Sequence, residues 1–306
     1  MSEEILFHYT SEVGLQGILQ NKCLWATDAF ASNDHSEIIL GEKLFERDLE
    51  EWAKQNKRKA RDLKFLIDSP LKMSEGVFFS CFSTINDFGN QDREYISNHG
   101  LLSQWRGYGS YAIKFKKDVL LKTLKEWKQN DGDPLLIANL DEEVKYLSES
   151  EADYRKFKED NLLKQKIDEF KESISTNEWA AIEKKMQEKQ ALSEEECKKI
   201  GERMKLSLIP RFFVKHRGFY EEREVRVVVI VPKDCVTKKI NFHAPNKSHI
   251  KLFEEDQAII ENAIEEIIIG PVSDQKAAKH WVDSMLREFG YKNVKVKCSE
   301  IPFRKS

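Results

Sequence analysis

The chain has 306 residues, 34% of them charged, yet 50 Lys and Arg against 53 Asp and Glu leave a formal net charge of −3. That length holds one large domain or two ordinary ones. The near balance of signs excludes a global basic field, so any nucleic-acid contact must come from a local patch.

In chain order, Ile5–Thr10 is predicted as a first strand, Ser11 as the cap of a helix carrying Leu15, Ile18 and Leu19, and Leu24–Thr27 as a second strand. Asn33-Asp34 precedes a helix that runs from about Ser36 into the Lys57–Arg61 cluster, with Ile39, Leu40, Leu44, Phe45 and Leu49 as its apolar stripe. Gly76–Ser83 and Tyr111–Phe115 are the next strands, joined through a polar connection that contains Gln104–Gly109. From about Val119 to Leu208 charge dominates, and Ser148-x-x-Glu151, Ser175-x-x-Glu178 and Ser193-x-x-Glu196 have capping-box spacing. Sustained heptads are missing, so this stretch reads as a helical insertion with its own core, from Tyr146 and Leu147 to Trp179 and Ile182. Strands follow at Val225–Val231, Thr237–Phe242 and Ile264–Ile269, then a helix over Gln275–Phe289 and a last strand at Val294–Cys298. The expected fold is α+β. A split sheet is built from residues 1–118 and 209–306, and a charged all-helical insertion occupies 119–208.

Phe219–Ile230 carries the strongest site signal. Alternation along a strand puts Glu222, Glu224 and Arg226 on one face with Val228 and Ile230, and Arg223, Val225, Val227, Val229 and Val231 on the other. Two carboxylates and a guanidinium entering a sheet side by side are either a structural ion pair or a site, because burial without partners is costly. Asn33-Asp34 reads first as a helix cap and Glu37 as a first-turn acid. Five dispersed cysteines without a Cys-x-x-Cys pair argue for reduced thiols, and with an acidic start lacking a signal-peptide pattern they point to the cytoplasm. No apolar run reaches membrane-spanning length. No metal site is expected from seven histidines without His-Glu-x-x-His, and Gly-x-Ser-x-Gly, P-loop and Gly-x-Gly-x-x-Gly motifs are all missing.

His8-Tyr9-Thr10, Gly76–Ser80 and Glu222-Arg223-Glu224, in that order, resemble the His–Tyr–Glu arrangement of the ADP-ribosyltransferase superfamily, which includes poly-ADP-ribose polymerases and DarT-type toxins. With Leu24–Thr27, Asn33-Asp34-x-x-Glu37, Ser80–Ser83, Trp105-x-x-Tyr108-Gly109, Glu222-x-Glu224-x-Arg226 and Ile268–Pro271, the pattern is similar to a widespread bacterial family of uncharacterised domains. The resemblance implies an ADP-ribosyltransferase-like split sheet and NAD as co-substrate. Glu224 would stabilise the oxocarbenium-like ribose, and Glu222 would orient or deprotonate the acceptor. It places His8 on the ribose hydroxyls, the Tyr9 backbone on the nicotinamide amide, and Thr10 and Ser80 in the same pocket. Phe78 stands where the family has a tyrosine, which leaves Tyr108 as another source of the stacking ring. Trp105 is expected at the pocket or as a loop anchor, and Arg226 at the cofactor or paired with Glu224. Lys215, Arg217, Asn33 and Asp34 are the candidate acceptor contacts.

The activity expected from this resemblance is transfer of ADP-ribose from NAD, first to a nucleic acid and second to a protein. The setting would be a bacterial toxin or phage-defence effector held in check by an antitoxin or other regulatory partner. Two alternatives stand beside it. One is an NAD glycohydrolase; the other is a non-catalytic nucleotide- or partner-binding module.

Overall fold

The computed structural model describes residues 4–31, 36–56, 74–86, 88–126, 135–138, 143–232, 240–242, 248–252 and 257–302. Its first part runs β1 (Ile5–Thr10), α1 (Glu12–Asn21), β2 (Leu24–Asp28), α2 (Ser36–Gln55), β3 (Ser74–Ser83), α3 (Asn90–His99), α4 (Leu102–Gly107), β4 (Tyr111–Lys116) and α5 (Lys117–Glu126). Next come β5 (Leu135–Ala138), β6 (Lys145–Leu147), α6 (Glu151–Glu159), α7 (Asn161–Ser173), α8 (Asn177–Gln187) and α9 (Glu194–Phe212). The chain returns through β7 (Val214–His216), a 3-10 turn (Arg217–Glu222), β8 (Glu224–Pro232), β9 (Asn241–Phe242) and β10 (Ser248–Leu252). It closes with α10 (Gln257–Ala263), β11 (Ile264–Ile269), α11 (Gln275–Glu288) and β12 (Lys295–Cys298).

This is a mixed α/β fold around a mostly antiparallel sheet of order β12-β11-β4-β1-β3-β2-β10-β9. β8 lies along the other edge of β3, and β5 along β8. The branching happens at β3. One edge pairs with β8 from Ser74↔Pro232 to Ser83↔Glu224. On the opposite edge β2 pairs only at Phe78 and Phe79, and β1 only at Ser83. The β2 pairing thus ends at Phe79 and the β1 pairing lies at Ser83, with Ser80, Cys81 and Phe82 between them. β1 and β2 diverge there, and a crevice opens between them.

Both faces of β8 are covered, so the strand is apolar on both sides. Val225, Val227, Val229 and Val231 join the core of Leu15, Leu19, Phe78, Phe82, Ile113 and Val282. Val228 and Ile230 pack with Val77 and Phe79 against Phe45, Phe170, Trp179 and Phe212 of the helical layer. A third, smaller core joins Phe7, Tyr9, Trp105, Ala112 and Ile268.

Several elements differ from the sequence expectation. Residues 119–208 are not all helical, since β5 joins β8 and β6 pairs in parallel with β7. Gln104–Gly107 belongs to the short helix α4 and not to an open connection. Ser193 forms the expected capping box with Glu196, but Ser150 caps α6 and Thr176 caps α8. Ser148 is diverted to the Asp153 carboxylate (2.6 Å), and Ser175 donates back to the Lys171 carbonyl (2.6 Å). The cluster at 57–61, the residues Asn33 and Asp34, and the first half (237–239) of the strand expected at Thr237–Phe242 lie outside the described residues. No described helix is long and apolar enough to cross a membrane.

Candidate functional site

β8 begins at Glu224, not at Glu222 as alternation suggested. Glu222 ends the 3-10 turn, and Arg223 between them takes a left-handed conformation (φ 46°). The turn is anchored to β3 because the Thr84 amide donates to the Arg223 carbonyl (2.8 Å). Residues two apart on a strand lie about 7 Å apart. Here both carboxylates converge on one ammonium instead. Lys215 Nζ, on β7, is 2.6 Å from Glu222 Oε2 and 3.0 Å from Glu224 Oε2.

Glu224 is 4% exposed and Arg226 fully buried, with Arg226 Nε on Glu224 Oε1 at 2.7 Å. Arg226 Nη1 also donates to the Phe212 carbonyl at the end of α9 (3.0 Å), where a cation suits the helix dipole. The Glu224 amide donates to the Tyr146 hydroxyl (2.7 Å) of β6. Burial alone would raise the Glu224 pKa, but Arg226 and then Lys215 outweigh it and hold the carboxyl well below its ordinary value. Glu222 is the opposite case. Burial raises its pKa, and Lys215 only partly offsets that. The Tyr108 hydroxyl donates to both Glu222 oxygens (3.0 and 3.1 Å).

These groups edge a cavity of about 560 Å³ in the crevice between β1 and β2. His8, Tyr9, Thr10, Ser80, Gln104, Tyr108, Lys215, Phe219, Glu222 and Glu224 all contribute to its lining. His8 Nδ1 donates to the Cys81 carbonyl (2.9 Å), so the side chain joins β1 to β3 between the two strand pairings and leaves Nε2 as an acceptor. Burial lowers the His8 pKa, which favours the neutral ring. Gly109 (φ 145°) closes the rim, because a Cβ there would lie 2.2 Å from the Thr10 carbonyl oxygen.

Other candidates stand elsewhere. Phe78 is buried in the main core and outside the cavity lining. Trp105 is likewise an anchor: its ring meets Tyr9 edge-on at 4.8 Å, its Nε1 donates to His99 O (3.0 Å), and it packs under Gly270. Tyr9 turns its own hydroxyl to the Leu101 amide (2.8 Å). Arg226 acts on the cavity only through Glu224. Arg217 points outward, its side chain 68% exposed. Lys215, expected as an acceptor contact, lies inside, bonded to Glu222 and Glu224. Tyr146 and Gln104 received no site role from the sequence, since each reaches the site through a fold contact that carries no motif.

The fold and the site thus define a mixed α/β protein whose divided sheet encloses a cavity of small-molecule size, edged by the buried Glu224 and the half-buried Glu222. Residues 104–227, which run from within α4 through α6–α9 to both carboxylates, match a family model described as "Protein of unknown function (DUF2971)". No curated protein and no solved structure matches the chain.

Proposed function

We propose that the cavity binds NAD and that the protein is an ADP-ribosyltransferase on a transferase-like split sheet. One observation carries this reading: an ionised, buried Glu224 lines the same crevice as His8, Tyr9 and Thr10 of β1 and Ser80 of β3. A volume of about 560 Å³ suits a dinucleotide or a large part of one. In the reaction the bond between ribose C1′ and the nicotinamide nitrogen breaks, and its electron pair leaves with neutral nicotinamide. Glu224 stabilises the positive charge left on the ribose. The acceptor atom then bonds C1′ and gives its proton to Glu222, whose raised pKa suits a base.

The rim favours a nucleic-acid acceptor. Phe219 (37% exposed) and Tyr220 (52% exposed) stand beside the outward Arg217, a pairing of rings and cation that suits unpaired bases and phosphates. The setting as a toxin or phage-defence effector rests on the motif resemblance alone. The test is transfer of labelled ADP-ribose from NAD to RNA, DNA or protein, with Glu222→Gln beside the wild type. Loss of transfer greater than loss of nicotinamide release supports the transferase. Equal loss of both argues for a glycohydrolase.

A second reading has its own support: both Glu224 oxygens are already bonded, to Arg226 and to Lys215. A site locked in this way would serve a nucleotide-binding module. NAD bound equally by wild type and Glu224→Gln, without turnover, would favour that module.

A further inference from the structure

Two polar side chains of the cavity are left over by everything described above. Gln104, on α4, is 4% exposed, and its Nε2 has no hydrogen-bond partner; Ser80, on β3, is 1% exposed, and its Oγ has none. Both contribute to the cavity lining. A buried polar group without a partner is destabilising, so two in one cavity are a standing penalty that a ligand can remove. Their chemistry restricts that ligand. A glutamine amide offers a donor and, after rotation, an acceptor, and a serine hydroxyl offers both. The complementary group presents a donor and an acceptor side by side, as a primary carboxamide does. A carboxylate is a poor match, since it lacks the donor and adds negative charge beside Glu222 and Glu224.

We propose that Gln104, together with Ser80 from a different element, is a specificity-determining residue that reads the carboxamide of the ligand. The inference rests on NAD being that ligand. Gln104 then separates the amide dinucleotide from its carboxylic-acid counterpart, and α4, which carries Gln104 and leads into Tyr108, becomes the element that joins ligand choice to the Glu222 contact.

Calorimetric titration of the full chain with NAD, deamido-NAD and ADP-ribose tests this in wild type and Gln104→Leu. The expected result is a wild type that binds NAD at least tenfold tighter than deamido-NAD. In Gln104→Leu the NAD affinity falls about three- to tenfold, the scale of one neutral hydrogen bond. ADP-ribose, which lacks the carboxamide, binds both proteins equally. The thermal midpoint of Gln104→Leu is not lowered, because the substitution removes an unpartnered group. Unchanged NAD affinity in Gln104→Leu, or an equal loss for NAD and ADP-ribose, overturns the assignment while leaving the NAD reading intact. A wild type that binds none of the three overturns both. Should Gln104→Leu fail to fold, Gln104→Met and Ser80→Ala carry the same comparison.

Discussion

At the scale of single residues the site is a chain of charges: Tyr108, Glu222, Lys215, Glu224 and Arg226, each bonded to the next. Removing one member of a buried pair leaves its partner uncompensated. Glu224→Gln strands Arg226 and is expected to cost about 3 kcal/mol, read as a lower urea midpoint. Activity of this variant therefore has to be compared per folded molecule. A carboxyl whose pKa is lowered on folding stabilises above its unfolded value and loses that contribution as pH falls through the folded value. Wild-type stability should drop as the pH goes below the ordinary glutamate value of 4.5, and Glu224→Gln should flatten that fall. Glu222, raised on folding, works the other way and adds stability as pH falls through its own value. The Glu-x-Glu-x-Arg spacing made this cluster legible in sequence. Lys215 was visible only as part of a basic run, because nothing local says that a lysine nine residues upstream turns inward. Phe78 misled for a physical reason: a ring beside a motif serine sits on the same strand face as Ser80 but points into the core.

At the scale of elements, the strands and most helices followed from periodicity, whereas caps and short pieces did not. Of three similar Ser-x-x-Glu spacings only Ser193 starts a helix as expected; Ser148 and Ser175 found nearer partners, and such local competition is invisible to a spacing rule. Ser193→Ala should therefore destabilise α9 by about 1 kcal/mol, measurable by chemical denaturation, with little effect on ligand binding. Gly109→Ala should do the reverse in emphasis. Its Cβ would collide with the Thr10 carbonyl and push the end of β1 away, so ligand affinity should fall along with stability. Calorimetry beside a thermal melt separates the two variants.

At the scale of the whole molecule, the branching of the sheet at β3 creates the crevice, and α4 with the 3-10 turn at Arg217–Glu222 completes it. Residues 119–208 are no detachable appendage: Phe157, Phe170 and Trp179 share a core with Val77, Phe79, Val228 and Ile230, and Tyr146 holds the start of β8. Deleting them should leave an insoluble or unfolded chain, since one full face of β3 and β8 would be open to water. The α+β character was readable from the alternation of strand and helix patterns. The branch was not, because pairing between distant strands is set by tertiary packing. The account's central claim is that Glu224 drives cleavage of NAD in this crevice, and its most direct test is nicotinamide release by wild type and Glu224→Gln, each corrected for folded fraction. The account predicts release by the wild type, enhanced by a nucleic acid, and a loss of at least a hundredfold in the variant. No release from folded wild-type protein with any acceptor, or equal release from both proteins, would contradict it.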